Sequence, residues 1–494
     1  MMGFYVGIDC GSQGTKTVVV DGGDGRVAGS SYVGYSYVEG LPLGHREQEP
    51  GIWVVAMIKA VRDALAQAGT KRVEGIGVSG QQHGFVPLDT SGKVIRPAKL
   101  WNDTSTAIEC RWLIERLGGV RRVVELTGNT ILPGFTAGKI LWLKNHEPAN
   151  YLRLATVLLP HDYLNLWLTG HATMEAGDAS GTALMDVRTR EWKEEVVEII
   201  DPGLITKLPE IQPSSEPAGT LRREAAEALG LYEGVMVSAG GGDNMMGAIG
   251  TGNTRPGIVT VSLGTSGTIY AYSAKPVVDP LGEAHAFCDS TGAWLPLACT
   301  MNVTVATEVV RGLLSLSHGG LEEAVEAAPV GSNGVVLLPY LTGERTPNVP
   351  DGKGVLYGLT PDNLTLSNLA RAAMEGATMG LNFGFNRLKQ MGIEPGEVRL
   401  TGGGSKNGAW RRMCSDVFGV ETVCLSVDEG AAYGAALQAL WTREGGSISE
   451  ITDRFVRLDE ATRSKPDPAN VEKYNRLQWL QDRLSTDLRS VFSS

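Results

Sequence analysis

At 494 residues the chain is too long for one ordinary core, and its net charge of −11 excludes a broad surface for a nucleic-acid backbone. Its composition, 42% hydrophobic and 20% charged, is globular, and apolar stretches such as Thr156 to Pro160 fall far short of the ~20 residues a membrane span needs. Any phosphate site must therefore be local, built from backbone N–H groups, helix N-termini or a metal. The six cysteines, Cys10, Cys110, Cys288, Cys299, Cys414 and Cys424, form no Cys-x-x-Cys and have no His at metal-ligand spacing, which reads as the reduced set of a cytoplasmic protein. The chain starts directly on a strand pattern, with no basic segment, apolar stretch and small-residue cleavage site, so export is not expected.

In chain order, Tyr5 to Asp9 and Thr17 to Asp21 read as β-branched strands joined by a polar, Gly-rich turn over 10–16. Ile52 to Gln67 reads as a helix, Gly75 to Ser79 as a strand, Thr104 to Leu117 as a helix with Ala107, Ile108, Trp112 and Leu113 as its apolar or small positions, and Val157 to Leu159 as a strand. The turn-rich loop 250–257 is the expected domain boundary. Just beyond it the opening design recurs: strand 257–262, turn 263–267, strand 268–272. A separation of half the chain implies duplication rather than a short repeat. Strands at 334–340 and 398–401, a long helix from Leu366 to Met391 with Met374, Ala377, Met379 and Leu381 among its apolar positions, and a small-residue helix at 430–442 complete a mixed α/β pattern.

Five motifs carry chemistry. Asp9 precedes Gly11, Gly14, Thr15 and Lys16, which is either a tight turn or a carboxylate facing N–H groups that hold phosphate oxygens, with Mg²⁺ bound to the carboxylate through water. Gly80-Gln81-Gln82-His83-Gly84 ends a strand; a lone His is usually structural, but three amide or imidazole groups flanked by glycines suit a polyol. Ala239-Gly240-Gly241-Gly242-Asp243-Asn244 places one carboxylate at a helix start, where capping and accepting a proton are compatible roles. The turn 262–268, with Gly264, Thr265 and Ser266, is turn filler alone but a partner for phosphates beside the first hairpin. Gly402-Gly403-Gly404-Ser405-Lys406-Asn407 is a generic strand-to-helix turn or one stripped of side chains for a base and ribose. Neither hairpin turn fits the Walker or Gly-x-Gly-x-x-Gly pattern.

With these residues collected, the chain resembles the FGGY carbohydrate kinases from Tyr5 to about Ala439. The stretches 79–84, Trp101-Asn102-Asp103, 133–139, 240–244, 262–267, 339–347 and 402–407 look like family counterparts in the family's order, and 134–145 and 354–375 are similar to its two recognition patterns. The resemblance implies an α/β fold of two actin-like (ribonuclease H-like) ATPase domains around a central cleft, 1–250 holding sugar and 251–494 holding ATP. It implies Asp243 as proton acceptor and Asp9 as the Mg²⁺-associated carboxylate, the two flanking the metal. Gln82, His83, Asp103 and Asn244 are then the expected sugar contacts. Thr15, Lys16, Gly264, Thr265, Ser266, Gly403, Gly404 and Asn407 are the expected ATP contacts.

The implied reaction is phosphorylation of a ketopentose, D-xylulose to D-xylulose 5-phosphate, with a small sugar and MgATP as partners, no nucleic acid or membrane, and room for a homodimer. One departure bears on the sugar: many bacterial members carry Gly-Arg after Trp-Asn-Asp, where this chain has Thr104-Ser105. The Gln-Gln-His-Gly stretch replaces the Arg-Glu pair of glycerol-phosphorylating members, so glycerol is not the expected substrate. The alternatives are a sister kinase for ribulose, fuculose or another polyol, an actin-like ATPase acting as chaperone or filament subunit, and a nucleotide sensor. The ATPase gives no reason for the Gln-Gln-His cluster, and the sensor gives none for the retention of both Asp9 and Asp243.

Overall fold

The computed structural model describes residues 3–427 and 430–492. It forms two compact α/β units. The first runs from the N-terminus to Arg255 and takes back two later segments: Tyr272–Leu295, and the segment ending at Val456 that carries the helix Gly430–Glu444. The second comprises Pro256–Ala271, the stretch from Pro296 to 427, and the chain from Arg457 onward.

The first unit is built on the strands β1 (Phe4–Cys10), β2 (Gly14–Asp21), β3 (Val27–Gly34), β4 (Val73–Gly80), β5 (Pro217–Thr220) and β6 (Met236–Ser238), in the order β5-β6-β4-β1-β2-β3. The strands β1 and β2 pair antiparallel, with Asp9 opposite Lys16, while β1 and β4 run parallel, with Asp9 beside Ser79. Both faces of this sheet are covered, so its central strands are buried along nearly their whole length rather than at alternate residues. On one face the helix Pro50–Ala68 lays down Trp53, Met57, Val61 and Leu65, four residues apart, against Val6, Ile8, Ile76 and Val78. On the other face lies the helix Gly430–Glu444, and there the backbones nearly touch. A Cβ on Gly7 would lie 1.9 Å from the Ala432 carbonyl oxygen, and one on Gly77 would lie 2.0 Å from that of Ala435. Only glycine permits this approach.

The second unit uses β7 (Ile258–Leu263), β8 (Gly267–Ala271), β9 (Trp294–Thr300), β10 (Glu397–Thr401), β11 (Thr422–Leu425) and β12 (Leu458–Ser464). Their order is β9-β8-β7-β10-β11-β12, and each neighbouring pair has the same parallel or antiparallel sense as its counterpart in the first sheet read from β3 to β5. The recurrence of one hairpin in sequence thus extends to six strands in space. The long helix Leu366–Gln390 buries Met374, Ala377, Met379 and Leu381 as their spacing predicts.

The helix expected from Thr104 spans only Ala107–Arg116. Its buried side is Glu109, Cys110 and Leu113, whereas Ile108 and Trp112, expected among its apolar positions, are exposed. The reason is local: Asp103 turns back to accept from the amide and hydroxyl of Ser105, which delays the helix and sets its rotation.

Candidate active site

Of the sugar and base residues predicted from sequence, Gln82, His83, Asp243 and Asn244 gather at the ends of the central strands of the first unit. Gly241 and Gly242 pair in parallel with Ser79 and Gly80, so the loop that ends at Asp243 lies directly beside the loop that ends at His83. A Cβ on Gly242 would fall 2.5 Å from Gln82 Cγ, which explains why a glycine must precede the aspartate. Asn244 Nδ2 ties the loops together, donating to Gln82 Oε1 at 2.7 Å and to Asp243 Oδ1 at 3.0 Å. Gln82 Nε2 is buried and has no protein partner among the described residues.

Asp243 is the first residue of the helix Asp243–Gly250, and Gly242 occupies the cap position. Its carboxylate is therefore not the helix cap; it accepts from the adjacent Asn244 amide at 2.8 Å. Burial, then the negative charges of Asp9 and Asp178, push its pKa up to about 8. Asp9, one residue before the end of β1, lies opposite Lys16 and accepts from Ser79 Oγ at 2.7 Å. The charge of Asp9 adds to the cost of ionising Asp243, and two such carboxylates supply the oxygen donors that a hydrated divalent cation takes.

His83 is buried with φ 63, in the left-handed region that a non-glycine residue seldom adopts. Its ring packs against Phe135 at 4.7 Å and Phe287 at 5.6 Å between centroids, and the fully buried Lys139 ammonium donates to its carbonyl at 2.6 Å. Phe287 reaches this site only because Tyr272–Leu295 belongs to the first unit, and no sequence signal marked it.

Asp103 stands apart. It is wholly buried, and its oxygens accept from the Arg46 amide at 2.8 Å, Lys99 Nζ at 3.2 Å and Ser105 Oγ at 2.5 Å. Burial works against its charge, but the Ser105, Arg46 and Lys99 contacts outweigh it and lower its pKa. Ser105, one of the two residues that replace Gly-Arg, thus closes the carboxylate into an internal network. His45, Glu47 and Asp103 are spaced as a metal triad, but the Lys99 ammonium lies within 3.3 Å of a ligand atom of each and takes the cation's place.

At the first hairpin the Gly11 amide is spent on the Gly14 carbonyl at 3.0 Å, and Thr15 is buried with its hydroxyl toward Tyr35. Lys16 is half-buried beside Asp9.

In the second unit the nucleotide residues fall into two groups. Gly264, Thr265 and Ser266 form the outward tip between β7 and β8, tied to the start of the helix Thr304–Leu313 by the Thr304 amide donating to the Gly264 carbonyl at 2.9 Å. Gly403, Gly404 and Asn407 line a cavity of about 530 Å³ together with Thr304, His318 and Trp410. Gly404 is held where a Cβ would meet Leu263 at 2.8 Å and Trp410 at 3.0 Å, and Asn407 caps the helix Gly408–Phe418 by accepting from the Trp410 amide at 2.9 Å. Thr304 and His318 were not predicted; Thr304 opens a helix with no glycine-rich marker, and the Gly319-Gly320 pair after His318 lies inside a helix rather than in a turn.

The N-terminal domain of the FGGY family of carbohydrate kinases matches residues 4–250, and its C-terminal domain matches 259–443. The chain belongs to this family and is a carbohydrate kinase. It is 43% identical to the xylulose kinase of Haemophilus influenzae over 99% of this chain and 100% of that one, and 38% identical to the xylulose kinase of Streptomyces coelicolor over 92% and 94%. The solved xylulose kinase of Rhodospirillum rubrum superposes with a TM-score of 0.91 at 26% identity, over 99% of this chain and all of that one.

Proposed function

We propose that the chain transfers the γ-phosphoryl group of MgATP to D-xylulose, giving D-xylulose 5-phosphate and ADP, in the cytoplasm. The observation that carries this reading is Asp243: a carboxyl with its pKa raised to about 8, joined through Asn244 to Gln82 and adjoining the loop of His83, in a family member 43% identical to a xylulose kinase over its whole length. A base poised near neutrality suits a sugar hydroxyl, whose own proton is lost only as phosphorus is approached.

The chain's groups divide the work. The donor Gln82 Nε2 and the His83 ring orient the ketose, Asn244 fixes Asp243 against Gln82, and Asp243 takes the O5 proton as the O5–P bond forms and the bond to the ADP oxygen breaks. Asp9 and Asp243 would hold Mg²⁺ through water; when bound, the metal neutralises charge on the phosphates. Residues 1–250 supply the sugar contacts and, through Thr15 and Lys16, part of the ATP site, and 251–494 supply the remaining nucleotide contacts, with the tip 264–266 toward the phosphates and the cavity beside Gly403, Gly404 and Asn407 taking base and ribose. Asp103, whose oxygens accept from Ser105, Arg46 and Lys99, would meet the sugar only with these partners in place.

ADP release measured over a panel of D-xylulose, D-ribulose, L-fuculose, glycerol and no sugar tests the assignment. D-xylulose should give the highest kcat/KM by at least about tenfold. A higher value for another sugar overturns the substrate, and equal ADP release with and without sugar overturns the kinase reading.

A further inference from the structure

The strands β1 and β4 run side by side as far as the Gln81 amide, which donates to the Cys10 carbonyl at 2.9 Å, and there they part. One leads into the phosphate turn 11–13 and the other into the sugar loop 81–83, and a side chain from outside both touches each of them. Gln48 is fully buried, with Nε2 donating to the Ser12 carbonyl at 2.8 Å and Oε1 accepting from Gln81 Nε2 at 3.0 Å and from the Trp53 indole N–H at 3.0 Å.

The partners allow this amide one orientation. An indole N–H can only donate and a carbonyl can only accept, so Oε1 must face Trp53 and Nε2 must face Ser12. Gln81 then has to present its Nε2. The position of Gln48 is fixed as firmly: it pairs with Ala98 in a short antiparallel ladder, its neighbour Glu47 is bound by Arg96 at 2.7 Å and Lys99 at 3.0 Å, and Trp53 is fully buried in the first turn of the helix Pro50–Ala68.

The turn is one that needs such support. The carbonyls of Gly11, Ser12 and Gln13 accept from Tyr35 Oη at 2.7 Å, Gln48 Nε2 at 2.8 Å and Tyr32 Oη at 2.9 Å. A free carbonyl repels a phosphate oxygen, so a turn that meets phosphate keeps its carbonyls on protein donors. Tyr32 lies in β3 and Tyr35 just beyond it, and these two hold the turn against its own hairpin, whereas Gln48 ties it to the sugar loop.

We propose that Gln48 is a positioning residue for phosphoryl transfer: its amide holds the phosphate turn and the sugar loop against one frame, so that both substrates are placed by the same side chain. This rests on the reading of the turn as an ATP contact and of the loop as a sugar contact. Loss of Gln48 therefore disturbs both ligands, while loss of Gln81 disturbs the sugar alone.

The test compares Gln48→Met, Gln81→Met and Trp53→Phe by steady-state kinetics and thermal unfolding. Methionine at 48 removes all three hydrogen bonds and should raise KM for ATP and for D-xylulose, each by about fivefold or more. Gln81→Met leaves the Ser12 bond in place and should raise the sugar KM by about fivefold with KM for ATP within about twofold. Trp53→Phe removes a bond to the same Oε1 but none to either loop, and should lower Tm comparably while moving both KM values less than about threefold. Tm losses in Gln48→Met with either KM unmoved, or KM changes just as large in Trp53→Phe, would overturn the proposal and leave Gln48 a buried structural amide. Lys16→Ala and His83→Ala separate this from failure of the underlying reading: an unmoved ATP KM in the first, or an unmoved sugar KM in the second, would overturn the assignment of that loop to its ligand. If Gln48→Met does not fold, Gln81→Met decides, and an unchanged sugar KM there overturns the proposal.

Discussion

Asp243 carries a cost that its role explains. Its pKa is raised to about 8 by burial and by two neighbouring carboxylates, so without a divalent cation the folded protein holds this proton far more tightly than the unfolded chain does. A raised carboxyl favours folding below the ordinary aspartate range, and that contribution is lost as pH rises toward about 8. In metal-free buffer, Asp243→Asn should therefore raise Tm relative to the parent at pH 9 and leave it nearly unchanged at pH 4. Its kcat should fall on the order of 10²–10⁴-fold, because an amide accepts no proton; turnover above half the parent value would remove Asp243 from the base role. The active form is the ionised one, so kcat/KM should drop as pH falls through the Asp243 pKa. Asp9→Asn removes a charge that raises that pKa and should move this acidic limb to lower pH while increasing the Mg²⁺ requirement. An unmoved limb and an unchanged Mg²⁺ titration together would reduce Asp9 to a turn residue.

At the scale of elements, the proposed base is carried on a helix placed by a close backbone crossing. The helix Asp243–Gly250 meets Gly430–Glu444 so closely that a Cβ on Gly434 would lie 1.8 Å from the Met246 carbonyl oxygen, and one on Gly250 would lie 1.8 Å from that of Gly430. No rotamer change relieves a clash with backbone. Gly434→Ala should destabilise by about 3 kcal/mol, read in urea unfolding, and should lower kcat because Asp243 heads the displaced helix. A variant that loses stability with kcat intact would show that the crossing holds the fold without aiming the base. The small residues of 430–442 were plain in the sequence, yet nothing there said which helix or strand they would meet. That is decided by a contact between segments about 190 residues apart in the chain.

For the whole molecule, the two units predict separable ligand responses. D-xylulose alone should slow amide exchange over 80–84 and 240–246, while a non-hydrolysable ATP analogue alone should slow it over 263–268 and 402–408. Protection by sugar confined to the second unit, with sugar demonstrably bound, would reverse the assignment of ligands to units. The units are not contiguous halves: Tyr272–Leu295 and the helix Gly430–Glu444 belong with the first. Their local patterns are ordinary strand and helix patterns, and which sheet a segment joins depends on surfaces that only the folded units present.

The sequence by itself determined the two hairpins, their recurrence, the α/β class and the family, and it marked Asp9, Gln82, His83, Asp243 and Asn244 as candidates, because each lies where a strand ends in glycines and strand ends are local features. Only the tertiary structure decided that Gly242 rather than Asp243 caps the helix, that Asp103 is sealed by Ser105, Arg46 and Lys99, and that Phe135 and Phe287 pack on His83. The physical reason is range. Turn chemistry and periodicity act over a few residues and leave their mark in neighbouring letters, whereas desolvation, ion pairing and backbone-to-backbone approach depend on segments that meet only once the chain has folded.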